Sequence, residues 1–438
     1  MREHWDVIVV GGGPTGCVVA DALVEAGRRV RLIDAGPKAA IGPKVEEVDR
    51  RAWGFTTTDG SFDWYRVRAV GGRSLLWGGW SYRLPARVLA RANFPFGAAT
   101  IAPWYRRVER ALGVVRGPLD ARTARAASRL EARAYAKRAP LVGDRIWTAR
   151  DTRAAKRARA HTVALRFEHA RGEATALVCL DLATEREVRL RADAFVLAAS
   201  PIESARILLE SELPRASYGR GLVDHQVASY VLLEPRPAPQ RPESPLAGAT
   251  LVDPRVNFGA PSRRPYRGGF TIEVSGPVPL EALGIERMVP SDEIDAHSAT
   301  MLHAIGEVFP SRGRFVDLDD AARDAYGRRV PRIHFAWTQE DERRAKDMQR
   351  ACLALADELA TPGSKLVPFV DPMSKGAGHE AGTLARRALV DARGRLRALD
   401  NVWVADGSAM PTAGDRHPTL TLLANAARVA DAVARGRG

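Results

Sequence analysis

Residues 11–16 read Gly-Gly-Gly-Pro-Thr-Gly, and this glycine motif lies between an apolar run at 7–10 and the start of a helical pattern. A second apolar run, at 29–33, follows the helical pattern and ends at the acidic residue Asp34. The order strand, glycine turn, helix, strand and acid is typical of a β-α-β unit that binds a dinucleotide. The motif therefore constrains the start of the chain to an α/β fold.

Each position of the motif has a physical reason. Gly11 allows the tight turn, Gly13 lets backbone N–H groups approach a pyrophosphate, and Gly16 lets the helix pack closely on the strand. The helix N-terminus supplies positive potential for the phosphates. Asp34 is positioned to accept a hydrogen bond from a ribose hydroxyl. A glycine turn without a ligand is the alternative interpretation, and the complete β-α-β context disfavours it.

Composition limits the class of protein. The chain of 438 residues is long enough for two domains, and no apolar run reaches the length of a membrane span. The first strand begins too early to leave room for a signal peptide, so we expect a cytoplasmic protein. The three cysteines, Cys17, Cys179 and Cys352, form no metal or redox spacing. We expect them to be buried apolar residues, and we expect no metal site.

The net charge of +14 has its densest basic stretch between residues 106 and 171. One interpretation is a surface for an acidic partner, and the other is a solvated helical surface rich in arginine. Only Tyr135 and Trp147 interleave the densest charges, which is fewer aromatic residues than a nucleic-acid platform needs. We favour the solvated surface and expect no nucleic-acid partner.

The remaining pattern predicts two kinds of region. The predicted helices are 103–114, starting at Pro103, an Ala/Arg-rich helical stretch over 116–160, and 201–210, 340–359 and 419–434. The predicted strands are 162–167, 174–182, 187–197, 227–233, 269–274, 332–337 and 401–405. Residues 226–370 are richer in proline and less regular, which indicates a lobe inserted into the dinucleotide domain. The predicted boundaries are 1–225, 226–375 and 376–438.

Several segments together carry a family resemblance. They are the glycine motif with Asp34, the glycine-rich loop 71–79, the stretch 103–109, the stretch 198–209, residues 219–225 ending in Asp-His, the H-x-x-G-T motif at 379–383, the D-x-S-x-x-P motif at 406–411 and the H-P-x-x-T motif at 417–421. In this order they resemble the glucose–methanol–choline (GMC) oxidoreductases, flavoenzymes that oxidise alcohols. Residues 226–370 match no motif of the family.

The resemblance implies a doubly wound FAD-binding (Rossmann-like) domain with a substrate lobe on a mixed or antiparallel sheet. It also implies FAD as cofactor, a small-molecule alcohol as substrate, and dioxygen or another electron acceptor. The implied reaction is oxidation of a CH–OH group in a sugar, glycoside, polyol or hydroxylated metabolite. The hydride passes to flavin N5.

Two histidines carry the implied chemistry. The family's motifs place His379 and His417 at the flavin N5, and histidine has a pKa suited to accepting a hydroxyl proton near neutral pH. We assign His379 as the proton acceptor and His417 as its partner in positioning the substrate oxygen, although the two roles are interchangeable at this stage. Asp224 and His225 also match a family motif, which we interpret as structural.

The resemblance assigns further residues to the cofactor. Besides Gly11, Gly13, Gly16 and Asp34, the expected cofactor-binding residues are Gly71, Gly72, Ser74, Trp77, Gly78, Asp406, Gly407, Pro418 and Thr419. Pro418 is expected in the first turn of the last helix. The glycine-rich loop contains no histidine, so we expect non-covalent FAD. For Glu380 we favour a solvated acid over a group that orients an imidazole.

Two alternatives stay open. The flavin could serve a biosynthetic pathway by oxidising a bulky intermediate, with or without an elimination. Less favoured is a flavin protein for electron transfer that uses the basic region 106–171 to dock on an acidic partner. A nicotinamide-dependent dehydrogenase is disfavoured because it would leave the C-terminal motifs unexplained.

Overall fold

The computed structural model describes residues 4–38, 54–214, 217–235, 244–257, 264–283, 285, 290 and 294–436. Its helices are α1 Pro14–Glu25, α2 Ala86–Arg91, α3 Ala98–Ala111, α4 Ala121–Arg129, α5 Arg153–Arg157, α6 Pro201–Glu210, α7 Pro254–Asn257, α8 Gln339–Leu359 and α9 Thr419–Arg435. Its strands are β1 Trp5–Val10, β2 Val30–Ile33, β3 Thr56–Thr57, β4 Val114–Arg116, β5 Arg133–Ala136, β6 Arg138–Val142, β7 Arg145–Ile146, β8 Thr162–Ala170, β9 Glu173–Asp181, β10 Arg186–Leu190, β11 Ala192–Leu197, β12 Gln226–Pro235, β13 Ala249–Val252, β14 Phe270–Val278, β15 His297–Gly306, β16 Arg314–Arg323, β17 Arg329–Phe335, β18 Lys365–Val370 and β19 Val402–Val404.

A parallel sheet of order β19-β11-β1-β2 forms the centre of the first domain. Its β1 strand is the apolar run of the opening motif, and Val9 pairs with both Val196 and Leu32. Helices α1 and α9 pack against each other beside this sheet, and their inner faces are buried. The predicted α/β fold with a doubly wound dinucleotide domain is therefore confirmed.

Glycine is required where α1 meets the sheet. Gly11 has φ +104°, and a Cβ atom there would lie 2.3 Å from the carbonyl oxygen of Ala198 on the neighbouring strand end. A Cβ atom on Gly16 would lie 1.8 Å from the carbonyl oxygen of Gly11. Both approaches are too close for any side chain, so these glycines set the distance between helix and sheet.

A six-stranded antiparallel sheet, of order β18-β12-β15-β14-β13-β5, forms the second layer. Helix α8 covers one face of this sheet with a buried stripe that contains Met348, Cys352 and Leu355. The edge strand β5 comes from the stretch 133–136, far earlier in the chain than the rest of the sheet. Another small sheet joins β16 and β17 to β3.

The helical prediction for 116–160 is wrong over most of its length. That stretch contains α4 and α5 as short helices, but it also contains β5, β6 and β7. Strand β5 pairs with β13 over four residue pairs, so a long-range sheet contact outweighs the helix propensity of alanine and arginine. The Ala/Arg composition carried no signal for that pairing.

Two further boundaries differ from the prediction. Helix α3 begins at Ala98 and holds Pro103 inside it, because its buried stripe of Ile101, Tyr105 and Val108 runs through the proline. The predicted strand 187–197 is two strands, β10 and β11, which belong to different sheets. The predicted helices at 201–210, 340–359 and 419–434 are present as α6, α8 and α9. Pro418 is the N-cap residue of α9 and lies just before its first turn.

Several arginines of the basic stretch have acidic partners within the chain. Arg122 contacts Glu234, Arg138 contacts Glu109, and Arg159 contacts Asp181. The three cysteines are free and buried, as expected. Within the described ranges, we find no helix whose length and apolar character would suit a membrane crossing.

The start of α8 is anchored by a buried charge cluster. Thr338 and Asp341 form a capping box in which Asp341 accepts from the Thr338 backbone N–H. The same carboxylate contacts the guanidinium groups of Arg314 and Arg344, which are about 1% exposed. These cations hold the pKa of Asp341 below its ordinary value although burial acts in the opposite direction. The N-terminus of α8 is therefore held by the Asp341 carboxylate.

We predict that Asp341→Ala destabilises the protein by about 3–5 kcal/mol, because it leaves buried guanidinium groups without their anion. Thermal and chemical denaturation measure this loss. Glu340→Ala is the matched control, since Glu340 forms an exposed ion pair with Arg267 and its removal should cost less than about 1 kcal/mol. Equal losses for the two variants would contradict the prediction.

Candidate active site

A cavity of about 450 Å³ lies at the carboxyl edge of the parallel sheet. An open α/β sheet binds its ligand at this edge. The predicted site residues that line the cavity are Gly11, Gly13, Asp34, Gly72, Ser74, Trp77, Gly78, His379, Asp406, Gly407, His417, Pro418 and Thr419. Gly16 and Gly71 are outside this lining.

The N-terminus of α1 opens into the cavity. Its N-cap residue is Gly13, and no side chain caps the first turn. A Cβ atom on Gly13 would meet no protein atom within 4 Å, so the space beside this glycine is open. Free N–H groups at a helix N-terminus attract phosphate oxygens. This end of the cavity therefore fits the pyrophosphate of a dinucleotide.

Asp34 lies at the end of β2 and lines the same end of the cavity. Its carboxylate accepts from the backbone N–H of Gly12 at 2.6 Å and of Gly36 at 2.7 Å. Burial raises the pKa of Asp34, while the two backbone hydrogen bonds act to lower it. A carboxylate has about four acceptor sites, so capacity for a ribose hydroxyl is left.

The polar groups of two loop residues point into the protein. The Ser74 hydroxyl donates to the Gly71 carbonyl at 2.6 Å and accepts from the Ala149 N–H at 2.9 Å. The Trp77 indole N–H donates to the Trp147 carbonyl at 2.8 Å. Both residues line the cavity and hold the loop in shape through these bonds.

The last predicted motifs meet at the middle of the cavity. The Asp406 carboxylate accepts from the Ser204 hydroxyl at 2.6 Å and from the Ser408 N–H at 2.9 Å, and burial raises its pKa. Gly407 follows it and starts a short 3₁₀ helix. Helix α9 starts at Thr419 with no side-chain cap, so a second helix N-terminus faces the cavity.

Three histidines and a glutamate form a continuous line of contacts. Nε2 of His225 lies 3.0 Å from the Gly414 carbonyl oxygen, and Nδ1 of His225 lies 2.9 Å from Nδ1 of His379. Nε2 of His379 lies 3.2 Å from Nδ1 of His417, and Nε2 of His417 lies 2.9 Å from a carboxylate oxygen of Glu273. His225, expected to be structural, thus contacts His379 directly.

This line of contacts determines where each ring proton lies. Burial, together with the neighbouring His417, lowers the pKa of His225 to about 3 and the pKa of His379 well below its ordinary value, so both rings are neutral at neutral pH. The Gly414 carbonyl can only accept, so Nε2 of His225 carries the proton and its Nδ1 accepts from His379. Nε2 of His379 is therefore left with a lone pair that faces Nδ1 of His417. The Glu273 carboxylate also only accepts, so a donating Nδ1 on His417 requires a proton on each of its ring nitrogens.

Asp224 positions two of these rings through the backbone. One carboxylate oxygen accepts from the backbone N–H of His225 at 2.7 Å and of His379 at 2.8 Å. The other oxygen accepts from the Gly378 N–H at 3.1 Å. Burial and the nearby Glu380 raise the pKa of Asp224 to about 7.

The expectation of a solvated Glu380 is wrong. Its side chain is fully buried and forms an ion pair with Arg73, at 2.5 Å between guanidinium nitrogen and carboxylate oxygen. Arg73 also donates to the Gly378 carbonyl and lines the cavity. The sequence around Glu380 gave no signal for burial, because its partner lies in the distant glycine-rich loop.

A polar row on the antiparallel sheet was also missed. Four directly paired positions cross the sheet in one register, from Ser229 to His303, Glu273 and Thr250. His303 lines the cavity, and its Nδ1 lies 2.6 Å from the Ser229 hydroxyl. Directly paired residues share a face, so the row forms a wall beside His417. Each member of the row has an apolar residue on either side of it in the chain, and only the pairing reveals the row.

These features fit FAD. Two uncapped helix N-termini, an acid at the end of β2 and open space at Gly13 suit the phosphates and the ribose. The wider part of the cavity, between Trp77 and the histidine pair, would receive the flavin. His379 and His417 then lie at the end of the cavity nearest the antiparallel sheet.

Comparisons with known proteins agree with this geometry. A family model described as FAD binding domain matches residues 4–66, and one described as GMC oxidoreductase matches residues 310–426. Pyridoxine 4-oxidase from Mesorbium loti has a similar structure, with a TM-score of 0.71 over 99% of this chain and 100% of that chain at 20% sequence identity.

Two curated relatives cover nearly the whole chain. The 6'''-hydroxyparomomycin C oxidase of Streptomyces lividus and the paromamine 6'-oxidase of Streptomyces fradiae are each 27% identical to this chain, over 98% of this chain and 91% of the relative. With the glycine motif, the cavity and the histidine pair in place, the chain is an FAD-dependent oxidoreductase that carries an FAD-binding domain at residues 4–66 and a GMC oxidoreductase domain at residues 310–426.

Proposed function

We propose that this protein oxidises a CH–OH group of a polar small molecule, with His379 as the acceptor of the hydroxyl proton. The substrate class is a sugar, a glycoside, a polyol or another hydroxylated metabolite. Bound FAD supplies the hydride acceptor, N5. The observation that carries the proposal is the contact between Nε2 of His379 and Nδ1 of His417, at the sheet end of the cavity.

The two histidines offer complementary groups to an alcohol. Nε2 of His379 presents a lone pair, and Nδ1 of His417 presents a proton. A hydroxyl group both donates and accepts, so it can replace the contact between the two rings. The alcohol then donates to His379 and accepts from His417, which directs its proton to the base and orients its carbon.

The surroundings favour this arrangement. Asp224 holds the His379 backbone, and the His225 ring accepts the Nδ1 proton of His379, so its imidazole has one orientation. The Glu273 carboxylate accepts from Nε2 of His417 and so fixes that ring. The N-terminus of α9 directs positive potential into the cavity and stabilises negative charge that develops there.

The relatives and the sequence support further aspects of the proposal. Two relatives are named as oxidases of paromamine and of a hydroxyparomomycin, which favours a polar hydroxylated substrate. The glycine-rich loop 71–79 holds no histidine, which favours non-covalent FAD. The electron acceptor would be dioxygen or another oxidant. The free, buried cysteines suit a cytoplasmic protein.

We predict opposite effects for two glycines of the first motif. Gly13→Ala places a methyl group in open space, so the fold should survive while the bound FAD content falls at least about tenfold, which corresponds to about 1.4 kcal/mol. Gly16→Ala forces a clash with the Gly11 carbonyl, so the protein itself should be destabilised. Flavin absorbance measures the FAD content, and thermal unfolding of the apoprotein measures the stability of each variant. Full FAD content in a folded Gly13→Ala variant would contradict the assignment of the phosphate site.

We predict that His379→Ala slows flavin reduction by substrate about 10²–10⁴-fold while FAD stays bound, because the hydroxyl proton loses its acceptor. Anaerobic stopped-flow absorbance with a panel of sugars, glycosides and polyols measures the rate. His4→Ala is the control, since His4 is half-exposed and its ring contacts the surface residue Asp193. An unchanged reduction rate in His379→Ala would favour the electron-transfer alternative instead.

The lowered pKa of His379 predicts an unusual pH profile. A base whose pKa lies below the ordinary histidine value stays unprotonated as the pH falls through about 6.5. The His379 ring should therefore stay neutral from about pH 8 to below about 6.5 and gain a proton only in more acidic buffer, whereas the reduction rate also responds to Asp224, whose pKa is about 7. The charged or titratable groups that lower the pKa of His379, after burial itself, are His417, His225, Arg73 and His303. Nitrogen-15 NMR of the histidine rings measures the protonation, with His379→Ala to assign the signal. A His379 ring that is half protonated near the ordinary histidine pKa would contradict the prediction.

A further inference from the structure

Lys137 contacts a residue that lines the cavity, Trp80, and belongs to a part of the chain that no motif covers. Its backbone N–H donates to the Gly248 carbonyl at 3.0 Å, which extends the pairing of β5 with β13 by one residue. In the same pairing Tyr135 lies opposite Thr250, a member of the polar row. Because side chains alternate along a strand, Lys137 and Tyr135 share the face that carries this row.

Two ring contacts through Trp80 link the ammonium group of Lys137 to His417. Nζ lies 4.7 Å from the centroid of the Trp80 ring, and Trp80 lines the cavity. The Trp80 ring in turn is nearly parallel to the His417 ring, at 11° and 6.2 Å between centroids. Gly248 permits this arrangement, because a Cβ atom there would lie 2.8 Å from the Trp80 ring.

Lys137 is 7% exposed. Among the described residues, none accepts a hydrogen bond from Nζ or forms an ion pair with it. Burial lowers the pKa of Lys137 to about 8, so the group is still mainly charged at neutral pH. A buried ammonium group without a partner is costly, and its contact with the Trp80 ring recovers only part of that cost.

Unpartnered acceptors are nearby on the same wall. The Thr250 hydroxyl and one carboxylate oxygen of Glu273 are buried, and no described group forms a hydrogen bond with either. Buried polar groups nearly always have partners, so several without them on one wall indicate that a ligand completes the set. The missing partner of Lys137 has to be an acceptor.

We propose that Lys137 is a specificity-determining residue that binds a second oxygen atom of the substrate, in a hydroxyl or a carboxylate group, near the carbinol that His379 deprotonates. The proposal rests on the function proposed above and narrows its substrate class to neutral or acidic hydroxylated molecules. A hydroxyl group can accept from Lys137 and donate to the free carboxylate oxygen of Glu273, whereas an ammonium group at the same position offers Lys137 no acceptor and repels it.

The test uses the full-length, FAD-loaded protein and its variants Lys137→Met and Lys137→Arg. The probes are glucose, glucosamine and gluconate, which share a six-carbon backbone and carry no charge, one positive charge and one negative charge. Perturbation of the flavin absorbance gives the Kd of each probe, and anaerobic stopped-flow mixing gives the reduction rate at saturation. Lys346→Met is the matched control, because Lys346 is exposed on α8.

We expect the wild-type protein to bind glucose and gluconate at least about tenfold more tightly than glucosamine, a difference of about 1.4 kcal/mol. Lys137→Met should reduce this preference to less than about threefold with little change in the saturating reduction rate, and Lys137→Arg should keep it. Thermal stability should not fall in Lys137→Met, since the substitution removes a buried unpaired charge. Lys346→Met should behave as wild type.

The remaining outcomes separate the two proposals. Equal weakening of all probes in Lys137→Met, or an unaltered preference, would overturn the role of Lys137 even if sugars reduce the flavin. A binding preference among the probes that depends on residue 137, without flavin reduction by any probe, would support the proposed role of Lys137. The same result would count against the proposed oxidation. Failure of the wild-type protein to bind any of the probes would overturn the assignment of Lys137.

Discussion

The Asp224 carboxylate holds together the parts of the chain on which the active site depends. It accepts hydrogen bonds from the backbone N–H group of the next residue, His225, and from those of Gly378 and His379 on the C-terminal segment. These hydrogen bonds place the rings of His225 and His379 in contact. Because the carboxylate is buried and Arg73 pairs with Glu380 beside it, a shift in this cluster would move the proposed base.

Burial and hydrogen bonding together determine which ring nitrogens of His225 and His379 carry a proton. Burial keeps His225 and His379 neutral, and the Gly414 carbonyl then determines the tautomers of these two rings. The result is a lone pair on His379 that faces His417. In the reaction that we propose, this lone pair is the base for a hydroxyl group, at the end of a cavity that fits the cofactor.

The antiparallel sheet supplies the wall beside the histidine pair. Its row of Ser229, His303, Glu273 and Thr250 arises because four strands pair in one register, and Glu273 links this row to His417. Strand β5, which comes from a distant part of the chain, places Lys137 at the edge of the same sheet. The same sheet thus connects the acid that fixes His417 with the cation that we propose selects the substrate.

Local sequence determined the dinucleotide unit, the main helices and the histidine motifs. Gly11 and Gly16 lie at contacts that admit no side chain, and apolar periodicity is a short-range signal, so both are readable without a fold. Only the tertiary structure decided that Glu380 is buried against Arg73, that 133–136 is a strand, and that His225 contacts His379. Those outcomes depend on partners far away in the chain, because burial, sheet register and ring contacts are set by packing and leave no local pattern.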